Sequence, residues 1–458
     1  MTRKLTLTLI LLNGYVGLAM QLLALRQVSN FVGGTAAISS IIIGTYLGAM
    51  TAGYFVGTKK MPPKVVSRLV GASFIGAMLL IVLAASFPLL HAYFGFMAAA
   101  GLRSPIIQTF VYALTFLSVA PFLFGFNTAA LSQNLHEATR DNTGIILGVG
   151  TIGSVMGSLF TTLIFMTLFG VNYTVMFTAA LAGTAAYLAG GRRWMLFAAL
   201  AVFAFAVSIN NSAFLRKNFG IVSNNAISTI SIQESTANRY LLVDKAIHSV
   251  ISLDGTAHAE YANFINRYFI HSIPQNIVKD ILILGAGGFT IGHGDLRNNY
   301  VFVDINPALQ RASEEHFLFH ELPPNNRFVV RDAGAFLRTT DEKFDLVVMD
   351  VFSRWSIPES AITTDFMESM KARTKPGGII VMNIIASAMF SDEFSRRINN
   401  TIRHVFPTNL SRHLIGHFDA WGPRDYVNVI YIWRNIPNRG RIYTPDMNST
   451  LNEQDYFL

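Results

Sequence analysis

The chain changes character about halfway along. Up to about residue 210 it consists of apolar runs separated by short polar loops, and from about Ser231 apolar and polar positions alternate. Runs of about 20 apolar residues match α-helices that cross roughly 30 Å of hydrocarbon. Seven such helices are predicted, over 5–27, 36–58, 67–90, 105–128, 143–168, 171–190 and 194–210. The first is read as a retained span rather than a cleaved signal, because further spans follow and no small-residue cleavage site precedes a soluble domain. Glycines recur at four-residue spacing as Gly44 and Gly48, Gly53 and Gly57, Gly144 and Gly148, Gly153 and Gly157. That spacing lets helix backbones approach closely in lipid.

In the second half, Ser231 to Gly255 alternates and breaks near Asp244–Lys245, which predicts short strands in hairpins. A helix is predicted over AEYANFINRYFIHSI. Strand and helix patterns then alternate: ILILGAGG (Ile281 to Gly288), YVFVDI (Tyr300 to Ile305), FVVRDAGAFL, FDLVVMD ending at Asp350, and KPGGIIVMNII entered through a Pro-Gly-Gly turn. This order predicts a doubly wound, Rossmann-like α/β sheet. The expected organisation is a membrane domain of about seven helices over 1–212, a linker with a small β-hairpin subdomain over 213–275, and the α/β domain over 276–458.

Composition sharpens the division. Of 458 residues, 52% are hydrophobic and only 14% charged, and the mean hydropathy is +0.41. These values exclude disorder, coiled coil and a purely soluble protein. No cysteine is present, so disulfides, thiolate metal sites and cysteine nucleophiles are excluded. Residues 1–233 carry 13 Lys and Arg against two acids, Glu137 and Asp141; the remainder carries 22 basic and 25 acidic residues. The basic surplus therefore lies in the apolar half, where the partner is the lipid bilayer. A nucleic-acid partner would call for a basic patch on the soluble half, and none is expected. Arg3, Lys4, Lys59, Lys60, Lys64, Arg68, Arg140, Arg192 and Arg193 fall on one set of alternate span ends, and only Arg26 and Arg103 on the other. The positive-inside rule then puts the N-terminus of a multi-pass cell-membrane protein in the cytoplasm, and seven spans put the α/β domain outside it.

Candidate chemistry lies at the strand ends. Successive strands deliver a glycine-rich turn, Asp304, Asp332 and Asp350 to one sheet edge, where open α/β sheets bind ligands. The glycine turn permits close approach of a ligand to the backbone. A carboxylate about 18 residues further, Asp304, can accept both hydroxyls of a ribose. Asp332 could receive an adenine amine. The plainer role for each acid is to cap the following helix.

The motifs ESTANRY, SLDG, LILGAGG, VDINP, RDAGAFL, FDLVVMDVFS with IPES, and TKPGGIIV together resemble those of the spermidine synthase (polyamine aminopropyltransferase) family, a branch of the class I methyltransferase fold. The resemblance covers residues 231 to about 435, and the whole chain resembles the family's membrane-fused members. It implies that Gly285, Gly287, Gly288 and Asp304 hold the tail and ribose of a sulfonium donor. That donor is S-adenosylmethionine or its decarboxylated form, and no metal is implied. Asp332 and Ala333 would then meet the adenine, Asp350 would be the catalytic acid facing the reacting amine, and Asn238, Ser353 and Arg354 would contact the acceptor. The chain also departs from the family. Gly288 stands where an acid pairs with the amine of the decarboxylated donor, Ser353 stands where a second acid recognises the acceptor, and Asn263–Phe264 stands where a tyrosine-histidine pair is expected. These losses argue against plain putrescine as the amine acceptor. The expected activity is transfer of an aminopropyl or other alkyl group to a small-molecule amine. The alternatives are a methyltransferase acting on a membrane-delivered substrate, and a transporter or sensor with a nucleoside-binding domain. Assembly as a homodimer is left open.

Overall fold

A computed structural model describes residues 1–133, 135, 142–256, 258–351, 358–416 and 425–437. The first half is a helical bundle: α1 (Arg3–Val32), α2 (Ala36–Gly57), α3 (Pro63–Ala85), α4 (Phe87–Ala99), α5 (Pro105–Phe116), α6 (Val119–Gln133), α7 (Asn142–Leu159), α8 (Gly170–Gly190), α9 (Arg193–Asn210) and the short α10 (Ser212–Phe219). A π-helical turn, Phe160–Phe165, and Met166–Leu168 prolong α7. Six of these helices are long and apolar enough to cross a membrane, and α5 with α6, bent by 41°, form a seventh candidate as one broken span.

Two expected spans end differently. The run predicted over 67–90 stops at Ala85, because Ser86 is extended and Pro88 opens the separate 13-residue α4. The run predicted over 105–128 reaches Gln133 but breaks after Phe116, with Pro121 in the first turn of α6.

The glycine pairs divide into two kinds. A Cβ added at Gly153 or Gly157 would strike the carbonyl oxygens of Leu11 and Tyr15 on α1, and one at Gly53 would strike that of Phe122 on α6. These glycines let α7 lie on α1 and α2 lie on α6. Gly44, Gly48, Gly144 and Gly148 have open space where a side chain would be.

Polar contacts fix which helix ends lie together. Gln133 bonds the carbonyls of Gly57 and Lys59 at one end, where Leu9, Ile10, Val66, Val70, Leu131 and Ala189 form a core. At the other end Gln27 bonds the Ala85 carbonyl and Asn210 bonds Ser86.

That second end carries the α/β half. Strands β1 (Ile221–Asn224), β2 (Thr229–Glu234), β3 (Asn238–Val243) and β4 (Ala246–Ser252) form an antiparallel sheet in sequential order. Asp244 and Lys245 make the two-residue turn between β3 and β4, both at positive φ (47° and 69°). A hairpin turn of this length needs that geometry, and non-glycine residues rarely adopt it. Contacts with the helical bundle hold it here. Arg26 of α1, its side chain 8% exposed, lies 3.8 Å from Asp244. The Lys245 ammonium sits 3.9 Å from the Phe31 ring centroid and 3.1 Å from His91 Nδ1.

The larger sheet comprises β5 (Asp280–Leu284), β6 (Asn299–Asp304), β7 (Asn326–Val330), β8 (Phe344–Met349), β9 (Thr374–Ser387), β10 (Leu410–Leu414) and β11 (Tyr426–Arg434), in the order β10-β11-β9-β8-β5-β6-β7. The five central and flanking strands from β5 to β9 run parallel, and β11 runs antiparallel between β9 and β10. The Pro-Gly-Gly segment is a bulge inside β9, with Thr374 opposite Phe344 and Ile379 opposite Leu346, rather than a turn before it.

The segment predicted as one helix is α11 (Glu260–Ile265) continued by a π-helical turn, Asn266–Ile270. It covers one sheet face together with α12 (Leu309–Ser313) and the small sheet, through Ile230, Leu241, Ile265 and Phe317. The helices α13 (Ala333–Thr339), α14 (Thr364–Ala372) and α15 (Glu393–Val405) cover the other, through Phe336, Phe366 and Ile398.

The two kinds of glycine generate a paired test. Gly153→Val should lower the thermal unfolding midpoint of detergent-solubilised protein, at an overpacking cost of about 1–3 kcal/mol. Gly148→Val, made into open space, should leave the midpoint unchanged.

Candidate active site

A cavity of about 350 Å³ opens at the C-terminal ends of β5, β6, β7 and β8, beside the point where strand order reverses between β5 and β8. Its wall includes Gly285, Gly287, Asp304, Asp332, Ala333 and Asp350, so six of the residues predicted from sequence meet in one place. The hairpin turn at Asp244 and the segment at Ser228 close it from the side of the bundle.

Gly285 owes its identity to this crossing. Its φ is +88°, and a Cβ there would collide with the Asp350 carbonyl, which lies over it because the Asp350 amide bonds Leu284. Only glycine lets the two strand ends come so near.

Asp304 lies at the end of β6. Its Oδ2 accepts the Ala286 amide at 3.2 Å and its Oδ1 the Asn306 amide at 3.0 Å. Burial raises its pKa, and these backbone bonds oppose the rise. Each oxygen keeps a second lone pair, so the carboxylate can accept two further hydroxyls. Asp332 is the N-cap of α13 and accepts the Ala335 amide at 2.8 Å through Oδ1. The capping role and a place in the pocket wall therefore coexist in one residue.

Asp350 sits just past β8, open to the cavity and otherwise enclosed by protein. Tyr261 donates to its Oδ2 at 3.0 Å, and Asn383 Nδ2 donates to its Oδ1 at 2.9 Å. Burial pushes its pKa up to about 6, although both hydrogen bonds pull the other way. A carboxyl poised there can take up a proton near neutral pH. His248, on the same wall, is brought down to about 4 by burial and is a neutral imidazole at neutral pH.

Neither Tyr261 nor Asn383 was singled out in the sequence. Asn383 had a signal, as one amide in the apolar run IIVMNII. Tyr261 lies two residues before Asn263–Phe264, where the family resemblance places a tyrosine; those two do not line the cavity, whereas the Tyr261 hydroxyl reaches Asp350.

Two predicted residues lie elsewhere. Gly288 donates its amide to Ser249 Oγ at 2.8 Å and packs under Phe317, whose ring a Cβ at 288 would strike. It is not part of the pocket wall, and no acid fits in its place. Asn238 begins β3, opposite Ser252 at the far end of the strand from Asp244, and turns its amide to Ser235. It is likewise absent from the cavity wall. Ser353 and Arg354 lie outside the described residues.

Residues 297–417 match the family described as "Spermine/spermidine synthase domain". That match lies wholly within the α/β half and takes in β6 to β10. Curated relatives include an aminopropyltransferase and a methyltransferase. A polyamine aminopropyltransferase of Sulfurisphaera tokodaii is 31% identical over 198 residues, which are 40% of this chain and 65% of that one. An N-terminal histidine N-methyltransferase of Emericella nidulans is 28% identical over 150 residues, 30% of this chain and 25% of that one. Among solved structures, a probable spermidine synthase from Corynebacterium glutamicum aligns with 22% identity and a TM-score of 0.39, covering 49% of this chain and 81% of that one. The chain spans between a quarter and two thirds of the length of these curated relatives.

The environment of Asp350 yields a titration test. Because its folded pKa lies above the unfolded value, the native state holds the extra proton between about pH 4 and 6, so this group costs stability as pH rises through that window. Tyr261→Phe and Asn383→Leu each remove a donor to the charged form and should move the midpoint further up. Infrared difference spectroscopy of the protonated carboxyl stretch against pH should show both shifts, and neither should occur in Asp350→Asn.

Proposed function

We propose that the α/β half is an S-adenosyl-donor-dependent transferase that alkylates an amine, with Asp350 as the proton acceptor. The observation that carries this reading is the enclosed Asp350 carboxyl held between Tyr261 and Asn383 on the wall of a cavity that also contains Asp304. The two free lone pairs of Asp304 suit the vicinal hydroxyls of a ribose, and Asp332 and Ala333 stand where an adenine would lie. The acidic wall favours the positive charge of a sulfonium. Asp350 orients the acceptor amine and takes its proton as nitrogen attacks the carbon beside sulfur. The carbon–sulfur bond then breaks, and the thioether departs without needing an acid. Tyr261 and Asn383 fix the direction in which Asp350 presents its free lone pairs.

One observation favours a second reading, methyl transfer. The packing of Phe317 on Gly288 leaves no room for an acid that would grip the amine of a decarboxylated donor, which suits intact S-adenosylmethionine. Product analysis separates the two: methylthioadenosine signals aminopropyl transfer, and S-adenosylhomocysteine signals methyl transfer.

Asp304→Ala should abolish calorimetric binding of methylthioadenosine or S-adenosylhomocysteine. Asp350→Asn should keep that binding and lose most turnover, and turnover of the native protein should fall as pH drops through about 6. Normal turnover in Asp350→Asn would leave a nucleoside-binding sensor.

We further propose that the helical half crosses the cell membrane seven times and sets the α/β domain outside the cytoplasm. The positive-inside count supports this sidedness. Arg26, one of two cations counted against it, is bonded to the Asn225 carbonyl at 2.8 Å and to Asn30 at 2.7 Å inside the protein and is no free loop charge. A phosphatase reporter fused after Leu458 should be active. An inactive fusion, with a fluorescent cytoplasmic reporter bright, would place the transferase in the cytoplasm.

A further inference from the structure

A second cavity, of about 290 Å³, lies inside the helical half, between α1, α2, α6 and α7. It is remote from the transferase pocket, since its α1 residues, Ile10 to Gln21, lie on the far side of Arg26 from the α/β half. Gly17 keeps the space open by presenting backbone beneath the Tyr46 hydroxyl, whereas Gly14 packs on the Gly150 carbonyl and brings α1 and α7 together beside it.

Its wall mixes two chemistries. Leu18, Met50 and Phe124 are apolar, whereas Asn13, Gln21, Tyr46, Thr128, Thr151 and Ser154 bring hydrogen-bonding groups. Asn13 is satisfied, donating to the Phe124 carbonyl at 2.9 Å and to Thr128 at 3.0 Å, and accepting from Asn127. Gln21 and Tyr46 differ. They are 7% and 3% exposed, they line the cavity, and among the described residues neither side chain has a hydrogen-bond partner. The Tyr46 hydroxyl stands over Gly17, 3.0 Å from where a Cβ would be. In a membrane interior a polar group left unmatched costs several kcal/mol, so two buried and unmatched side chains facing one cavity call for a partner that is not protein.

Among the described residues the wall contains no Asp, Glu, Lys or Arg to offer an ion a countercharge. The rim decides between water and an organic molecule. Leu47 and Leu147, which border the cavity, are 49% and 63% exposed on the outer surface of α2 and α7, so the cavity opens sideways to the hydrocarbon. A cluster of waters filling the cavity would be in contact with lipid tails there.

We propose that this cavity binds an uncharged amphipathic molecule that enters from the bilayer, with its hydroxyl-bearing head on Gln21 and Tyr46 and its apolar part between Leu47 and Leu147. This assignment rests on the helical half being embedded in a membrane and is independent of the transferase reading.

The test uses the full-length protein in phosphatidylcholine nanodiscs with two photoactivatable probes, a diazirine monoacylglycerol and a diazirine alkane of the same chain length. The monoacylglycerol should label α1, α2 and α7 around the cavity to saturation. Loss of two hydrogen bonds in the Gln21→Leu/Tyr46→Phe double variant should weaken that labelling about tenfold or more, with alkane labelling and the unfolding midpoint unchanged. If the double variant does not fold, Thr151→Val with Ser154→Ala should weaken labelling in the same direction. Equal labelling by both probes, insensitive to either pair of substitutions, would mean that lipid tails merely fill a groove and would overturn the proposal. So would absence of labelling, whether water or a second copy of the chain fills the space. Extraction of the protein from cells without detergent would instead overturn the membrane reading itself.

Discussion

A buried arginine joins the two halves of this protein. Arg26 projects from the end of a long apolar helix into the α/β half, where it reaches the Asn225 carbonyl, Thr229 and Asp244. From there a polar connection runs on: Asn225 donates to Asn306 at 2.8 Å, and the Asn306 amide donates to Asp304. Burying a guanidinium is tolerable only when its donors are met, so this charge fixes the small sheet against the bundle. The Asp244–Lys245 turn, strained by two positive φ angles, is held from both sides, by Arg26 and by the Phe31–His91 cage. The same turn closes the transferase cavity, so the helical half helps to shape the pocket as well as anchoring it.

Within the pocket, desolvation and hydrogen bonding act against each other. Asp304 and Asp350 are both driven toward neutrality by burial, and both are pulled back by donors. The donors differ in kind. Backbone amides on Asp304 are fixed by the β5 and β6 turns, which suits a group that holds a ligand. Side-chain donors on Asp350 come from α11 and β9, which leaves its protonation state tunable and suits a group that moves a proton.

The helical half has its own division of labour. Gly14, Gly53, Gly153 and Gly157 pull backbones into contact, whereas Gly17 leaves a space beneath the Tyr46 hydroxyl. The same residue type thus serves packing at some positions and a cavity at others. The outcome depends on whether a facing helix supplies a carbonyl or leaves a gap.

Local chemistry made much of this protein legible from its sequence. Apolar runs of spanning length, the period-two strands and the residues punctuating their ends depend only on near neighbours along the chain, so the helical half, the five parallel strands and the cluster of Gly285, Asp304, Asp332 and Asp350 could be read directly. The break after Ala85, the bend between α5 and α6 and the bulge within β9 were harder, because proline and glycine mark an interruption without specifying its form. What remained was decided by contacts between distant segments. Tyr261 and Asn383 meet Asp350 from 89 and 33 residues away, Phe317 occupies the space beside Gly288, and Asn238 is carried to the wrong end of its strand by the register of β3 on β4. Neither the pairing of Arg26 with Asp244 nor the isolation of Gln21 and Tyr46 leaves a trace in local pattern. Packing sets such partners, because which side chains share an enclosed space depends on how whole elements are arranged, and no short stretch of sequence encodes that arrangement alone.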